Sequence, residues 1–167
     1  MAKKQIKDFM TMTKLNHILL SILILTLFSI YFSSCNKNRN TENLIPNVPV
    51  NLSINLELPL YYTLNNPGNF VYEDGAGNKG IIIMHGFDGN FYALERTCPF
   101  QPFDDCSRVE LDSNTYSYRC GKNTIAGFEK CCESKFQYDG ALVQGPAQFN
   151  LKSYRISKSG NYLYITN

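Results

Sequence analysis

An all-β domain, a sandwich or small barrel of short strands, is what the sequence predicts over residues 48–167. Three observations carry that expectation. Val48, Val50, Leu52, Ile54 and Leu56 alternate with Asn51, Ser53, Asn55 and Glu57, the period-two pattern of a half-buried strand. Ile81-Ile82-Ile83-Met84 is an unbroken, largely β-branched run suited to a central strand. Turn signals recur at close spacing, at Pro67-Gly68, Asp74-Gly75, Asp88-Gly89, Asp139-Gly140 and Ser159-Gly160. No amphipathic helical pattern follows residue 35.

Taken in order, Tyr61–Leu64 and Phe70–Tyr72 read as short strands after Pro59. Asp88-Gly89 joins Ile81–Met84 to Phe91–Leu94 as a hairpin. Thr115–Arg119 is a strand-like run with Cys120 at its end. Asp139-Gly140 links Phe136–Tyr138 to Ala141–Val143, and strands near Tyr154–Ile156 and Tyr162–Ile165 close the chain.

The N-terminus has a different character. Residues 3–14 are basic and precede an apolar run from Ile18 to Phe32, the layout of a signal peptide. Those fifteen residues would span only about 22 Å as a helix, short of a hydrocarbon core of roughly 30 Å. Ser33-Ser34-Cys35 resembles the lipobox of bacterial lipoproteins, which implies acylation of Cys35. The expected division is a signal peptide at 1–34, a lipidated Cys35 with an Asn-rich polar tether at 35–47, and the β domain at 48–167. The alternative for the first segment is an uncleaved signal anchor. The implied destination is outside the cytoplasm, on the cell membrane or outer membrane through the lipid anchor. Beyond residue 34 the chain carries 12 Lys and Arg against 13 Asp and Glu. That balance, without a dense basic run, gives no electrostatic basis for nucleic-acid binding.

Five cysteines, Cys98, Cys106, Cys120, Cys131 and Cys132, fall within residues 98–136. Clustered cysteines indicate a disulfide framework or a metal site, and an oxidising compartment lets disulfides persist.

The run Ile81–Met84, Asp88-Gly89, Tyr92-Ala93-Leu94 and Cys98-Pro99 resembles the approach to the first cluster loop of Rieske domains. Ser134-Lys135-Phe136, Asp139-Gly140, Gly145-Pro146-Ala147, Leu151 and Tyr154 are similar to that family's stretch after its second loop. The resemblance implies an antiparallel β fold in which two loops hold a [2Fe–2S] cluster, each giving one Cys and one His. Cys98 matches the first Cys, but Phe100 stands at the first His position and Cys132 at the second. Glu133 replaces a usual Gly. The remaining Cys position falls on Glu129 without a gap, or on Cys120 with Gly121–Lys130 inserted. Of the two histidines, His17 lies in the signal segment, leaving His85, read as an ordinary edge histidine. An orthodox Rieske centre is therefore excluded on ligand supply.

The family's loop-to-loop disulfide has its nearest matches in Cys106 and Cys131, after which Cys98 could pair with Cys120 or Cys132. An all-Cys zinc or iron–sulfur site would instead use Cys98, Cys106, Cys120 and Cys132 or Cys131. Reduced buried cysteines are the third possibility.

Catalytic signals are weak. Asp104-Asp105 reads as solvated surface, Glu129 and Glu133 merely flank thiols, and Ser134 has no neighbouring His to activate it. No phosphate-binding loop or dinucleotide fingerprint is present. Phe100, Pro102 and Phe103 either fill the volume of a lost cluster or form a docking patch for an envelope protein. The sequence thus reads as an exported, lipid-anchored protein with a cluster-free Rieske-like domain, a binding or assembly component rather than an enzyme. The alternative is an electron-transfer component with a Cys-ligated [2Fe–2S] or zinc centre.

Overall fold

The computed structural model describes residues 44–167. Cys35, the apolar run before it and most of the polar tether lie outside the described residues. Among those described, no helix is long and apolar enough to cross a membrane.

Ten strands are described: β1 (Asn51–Asn55), β2 (Phe70–Glu73), β3 (Ile81–His85), β4 (Phe91–Glu95), β5 (Val109–Asp112), β6 (Ser117–Thr124), β7 (Gly127–Gln137), β8 (Leu142–Gln144), β9 (Arg155–Ser159) and β10 (Tyr162–Thr166). They form three antiparallel sheets, ordered β1-β10-β9, β2-β3-β4 and β5-β6-β7-β8. The end of β4 joins all three. Tyr154 N–H donates to Ala93 O and Glu95 N–H to Lys152 O, both at 2.8 Å. On the other side Val109 N–H reaches Arg96 O at 2.7 Å, and Cys98 N–H reaches Ser107 O at 3.2 Å.

β3 is buried on both faces, which is why its sequence shows no alternation. Ile82 and Met84 pack with Leu94, Tyr118 and Phe136, while Ile81 and Ile83 pack with Ala93, Ile54, Leu163 and Ile165. The first of these clusters also contains Cys98 and Cys120.

Two expectations need correction. Tyr61–Leu64 is not a strand: Tyr62–Asn65 form a single 3₁₀ turn, in which Leu64 alone is buried. Pro59 offers no backbone donor, and the Asn65 side-chain amide caps Leu56 O and Tyr62 O, each at 3.0 Å. Cys120 does not end its strand either, because β6 continues to Thr124 and turns back through Gly127 into β7.

The joint at β4 is polar yet fully buried. Glu95 is 0 % exposed and Arg96 1 %. The Glu95 carboxylate accepts from Asn78 N–H (2.8 Å), Lys79 N–H (3.0 Å), Thr97 N–H (3.0 Å), Thr97 Oγ–H (2.8 Å) and Tyr154 Oη–H (2.6 Å). The Arg96 guanidinium pairs with Asp74 and Glu110 and lies 3.8 Å from the Tyr72 ring centre.

Removing one partner of a buried ion pair costs about 3–5 kcal/mol, because the other charge is left uncompensated. Arg96→Ala should therefore lower unfolding free energy by at least about 3 kcal/mol in urea titration. Asp74, 67 % exposed, sits where solvent screens the pair, so Asp74→Ala should cost less than about 1 kcal/mol. Equal effects of the two substitutions would contradict the buried joint.

Candidate functional site

Two loops meet at one end of the β5–β8 sheet. The first follows Cys98 and is tied at its base by Ser107, a fully buried residue whose hydroxyl donates to Cys98 O (3.2 Å) and Phe100 O (2.8 Å). Its turns are closed by Asp104 N–H to Gln101 O (3.0 Å) and Ser107 N–H to Asp104 O (2.9 Å). The second is a break in the β6–β7 ladder. Arg119 pairs with Lys135 and Gly121 with Lys130, so Cys131–Ser134 stand opposite Cys120 alone. A bulge of this kind re-aims side chains out of the ladder.

Two glycines permit the arrangement. Gly121, at φ +147°, leaves no room for a Cβ, which would sit 2.2 Å from Glu129 O. Gly145, at φ +109°, passes so close to the second loop that a Cβ would lie 2.3 Å from Ser134 Cα. Both have a positive φ that disfavours other residues.

The loops are linked by a disulfide between Cys106 and Cys131, the pairing that the Rieske resemblance implied. The other three cysteines are reduced and converge: the Sγ atoms of Cys98, Cys120 and Cys132 all lie within 4.8 Å of one another. Cys98 Sγ and Cys132 Sγ are 3.8 Å apart. Neighbouring cysteines in the sequence thus take different tasks, Cys131 bridging to the first loop and Cys132 joining the thiols. Ser134 braces Cys132. Its N–H lies 3.4 Å from Cys132 Sγ, and its hydroxyl accepts the thiol proton (3.2 Å) and Ala147 N–H (3.0 Å).

Hydrogen bonding polarises the group. The bond from Cys120 pulls the Cys98 thiol down to about 7, against the opposing effect of burial. The same contact, reinforced by burial, pushes Cys120 upward. Of the two, Cys98 is the thiol whose ionised form the contact favours. Lys79 stands close enough to be influenced by both thiols, and its ammonium donates to Asp104 O. Burial lowers its pKa, with Asp105, Asp104 and the thiols opposing. Nothing in the local sequence marks Lys79, which lies 25 positions before the loop carbonyl it reaches.

A pocket of about 220 Å³ opens beside Cys132, lined also by Arg119, Phe128, Lys130 and Ser134. Cys132 is half-buried, whereas Cys98 and Cys120 are buried.

The two placements left open for the second loop are now separated. Cys120 lies in the thiol group, while Glu129 is exposed and 3.2 Å from Lys122 on the inserted hairpin. Glu133 is exposed and paired with Lys130, and Asp104 and Asp105 are exposed. Phe100, Pro102 and Phe103 divide: Phe100 packs against the thiol-containing core, Pro102 is buried, and Phe103 is 79 % exposed.

The donor set does not fit a Rieske [2Fe–2S] cluster, which needs two imidazoles on one iron. His85, the one histidine among the described residues, ends β3 with Nδ1 2.9 Å from Leu64 O and its ring stacked on Phe91 at 4.3 Å. It is not among the residues that converge with the thiols.

The disulfide separates its cysteines by 25 positions, and closing a loop of that length should stabilise by about 3 kcal/mol through the unfolded chain. The Cys106→Ser/Cys131→Ser double variant should lose that amount in urea unfolding. Unchanged stability would show that the bridge does not constrain the loops.

No protein-family model matches the chain, and no curated protein matches it. Solved structures do. One is the cyanobacterial plasma membrane Rieske protein PetC3 from Synechocystis PCC 6803, at 22 % identity and a TM-score of 0.39, covering 52 % of this chain and 75 % of that one. Another is the ferredoxin of carbazole 1,9a-dioxygenase from Nocardioides aromaticivorans IC177, at 13 % identity and a TM-score of 0.40, covering 71 % of this chain and 97 % of that one. The described residues form an antiparallel all-β domain, and these two are among the structures to which it is similar.

Proposed function

We propose that the chain is an exported, lipid-anchored protein whose Rieske-like domain works without a Rieske [2Fe–2S] centre, as a binding or assembly module at the cell envelope rather than as an enzyme. The observation that carries this reading is the donor set between the two loops, which among the described residues is three sulfurs and no imidazole. Two further features support it. Phe100 and Pro102 fill space against the first loop, and the Cys106–Cys131 bridge ties the loops covalently, so their shape does not require an inorganic core. Phe103, at the exposed tip, offers an apolar contact for an envelope partner.

Among the described residues, no hydrolytic constellation supports an enzyme. The Ser134 hydroxyl is occupied by Cys132 and Ala147, without the adjacent base a nucleophile needs. The second reading, an electron-transfer component with a Cys-ligated centre, is favoured by one observation, the convergence of Cys98, Cys120 and Cys132.

Full-length protein exported by its own leader and purified in detergent should contain no iron or acid-labile sulfide, and should give no reduced [2Fe–2S] signal in electron paramagnetic resonance. Near-stoichiometric iron and sulfide would overturn the cluster-free reading and establish the electron-transfer one. For the anchor, Cys35→Ala should abolish incorporation of labelled palmitate and release the domain from the membrane fraction. Equal labelling of both forms would refute lipidation.

A further inference from the structure

We propose that Cys98, Cys120 and Cys132 form a three-thiolate site for one thiophilic d¹⁰ metal ion, Zn²⁺ or Cu⁺. The inference deepens the binding role proposed above, because it names a ligand for the volume that a Rieske cluster does not fill. It rests on that reading only in requiring that iron and sulfide be absent there.

The geometry of the sulfurs is the first argument. Zinc–thiolate bonds are about 2.3 Å, which places two sulfurs on a tetrahedral ion roughly 3.8 Å apart. Cys98 Sγ and Cys132 Sγ are already separated by 3.8 Å, and the group as a whole lies within 4.8 Å. A metal would need contraction of less than about 1 Å at any pair. A disulfide would need Cys98 and Cys132 to close to about 2.0 Å.

The second argument is ligand number. Cys106 and Cys131 are joined to each other and have no thiolate to offer. Among the described residues no fourth His, Cys, Asp or Glu converges with the three. Four-cysteine structural zinc is therefore ruled out for this set, and a three-ligand site with one open position remains. Thiolate sulfur is the donor that selects Zn²⁺ and Cu⁺ over hard cations. Of the three ligands, Cys132 lines the pocket of about 220 Å³, which gives the site a route to solvent on that side. Water can complete a zinc tetrahedron from that side, whereas Cu⁺ needs no fourth donor.

The third argument is rigidity. Ser107 fixes the backbone around Cys98, Ser134 braces Cys132, the Gly121 bulge sets Cys120, and the disulfide joins the loops that carry two of the three ligands. The donors are preorganised, so binding does not have to assemble them. On binding, each S–H bond that breaks gives its proton to solvent and a metal–sulfur bond replaces it, with no change of oxidation state.

The test uses full-length protein purified anaerobically in detergent and freed of metal with a chelator. Co²⁺, as a spectroscopic stand-in for Zn²⁺, should bind at one ion per chain and give thiolate-to-metal charge transfer with the strong visible bands of a tetrahedral site. Cu⁺, delivered from a chromogenic chelator in a parallel arm, should also load at one per chain. Competition between Zn²⁺ and Cu⁺ then identifies the preferred ion.

Removing an outer partner of a metal ligand costs about 10–100-fold in affinity, so loss of a ligand in Cys132→Ser should exceed about 100-fold. Cys132 is half-buried at the break in β7, and circular dichroism is the check that this variant folds. The Cys106→Ser/Cys131→Ser variant keeps all three thiols but loses the bridge that holds their loops, so it should still load one ion per chain, more weakly than the parent but more tightly than Cys132→Ser. Binding undiminished in the Cys98→Ser/Cys120→Ser/Cys132→Ser variant would overturn the site, and so would the absence of binding by either ion. Iron with labile sulfide on these thiols would defeat the cluster-free reading as well. Protein that is free of iron and binds neither ion would defeat this inference alone.

Discussion

Two opposite charges in succession, Glu95 and Arg96, are buried at the end of β4, and the rest of the domain is arranged around satisfying them. A buried carboxylate and guanidinium are costly unless every polar atom finds a partner. Glu95 finds its partners in the turn before β3, in Thr97 and in Tyr154. Arg96 finds its own in Asp74, Glu110 and the Tyr72 ring. Because those partners lie in or beside strands of all three sheets, satisfying two side chains ties the sheets together. The strand leaves this joint as Thr97 and Cys98, so the joint also sets where the first loop begins.

From there the thiol site follows with little freedom. Cys98 enters the core at a fixed point, and the β5–β6 ladder sets Val109 opposite Cys120. The break in β6–β7 lets Cys131 turn to Cys106 and Cys132 to Cys98. Three sulfurs that share hydrogen bonds in a core need either protons or a cation to balance them. The polarisation of Cys98 against Cys120 is the proton solution, and a thiophilic ion at the same position is the metal solution. Neither requires an imidazole.

Much of this was legible in the residues, and what was not has physical causes. Strand β3 announced itself because a doubly buried strand has no polar face to interrupt it. The Asp-Gly hairpin at 88–89 did so because glycine there takes a positive φ. Tyr61–Leu64 misled, since aromatic residues favour strands in general, but here Leu64 is buried, Tyr61 packs only partly against the same cluster, and Tyr62 is exposed. The position of Cys120 could not be decided by spacing alone, because the inserted hairpin shifts the register and only the ladder shows which residue faces Cys98. Glu95 and Arg96 look like the polar end of a strand; apart from Thr97, their partners are distant in sequence. The Cys106–Cys131 pairing was accessible only through the family resemblance, as spacing does not determine connectivity.

The central claim is the partition of five cysteines into one bridge and three converging thiols. Anaerobic denaturation of the exported protein with a chelator and an alkylating agent, without reductant, followed by peptide mass spectrometry, tests it most directly. The account predicts alkylated Cys98, Cys120 and Cys132 together with a Cys106–Cys131 cross-linked peptide. A peptide cross-linking Cys98 to Cys132 or to Cys120, or alkylated Cys106 and Cys131, would contradict it.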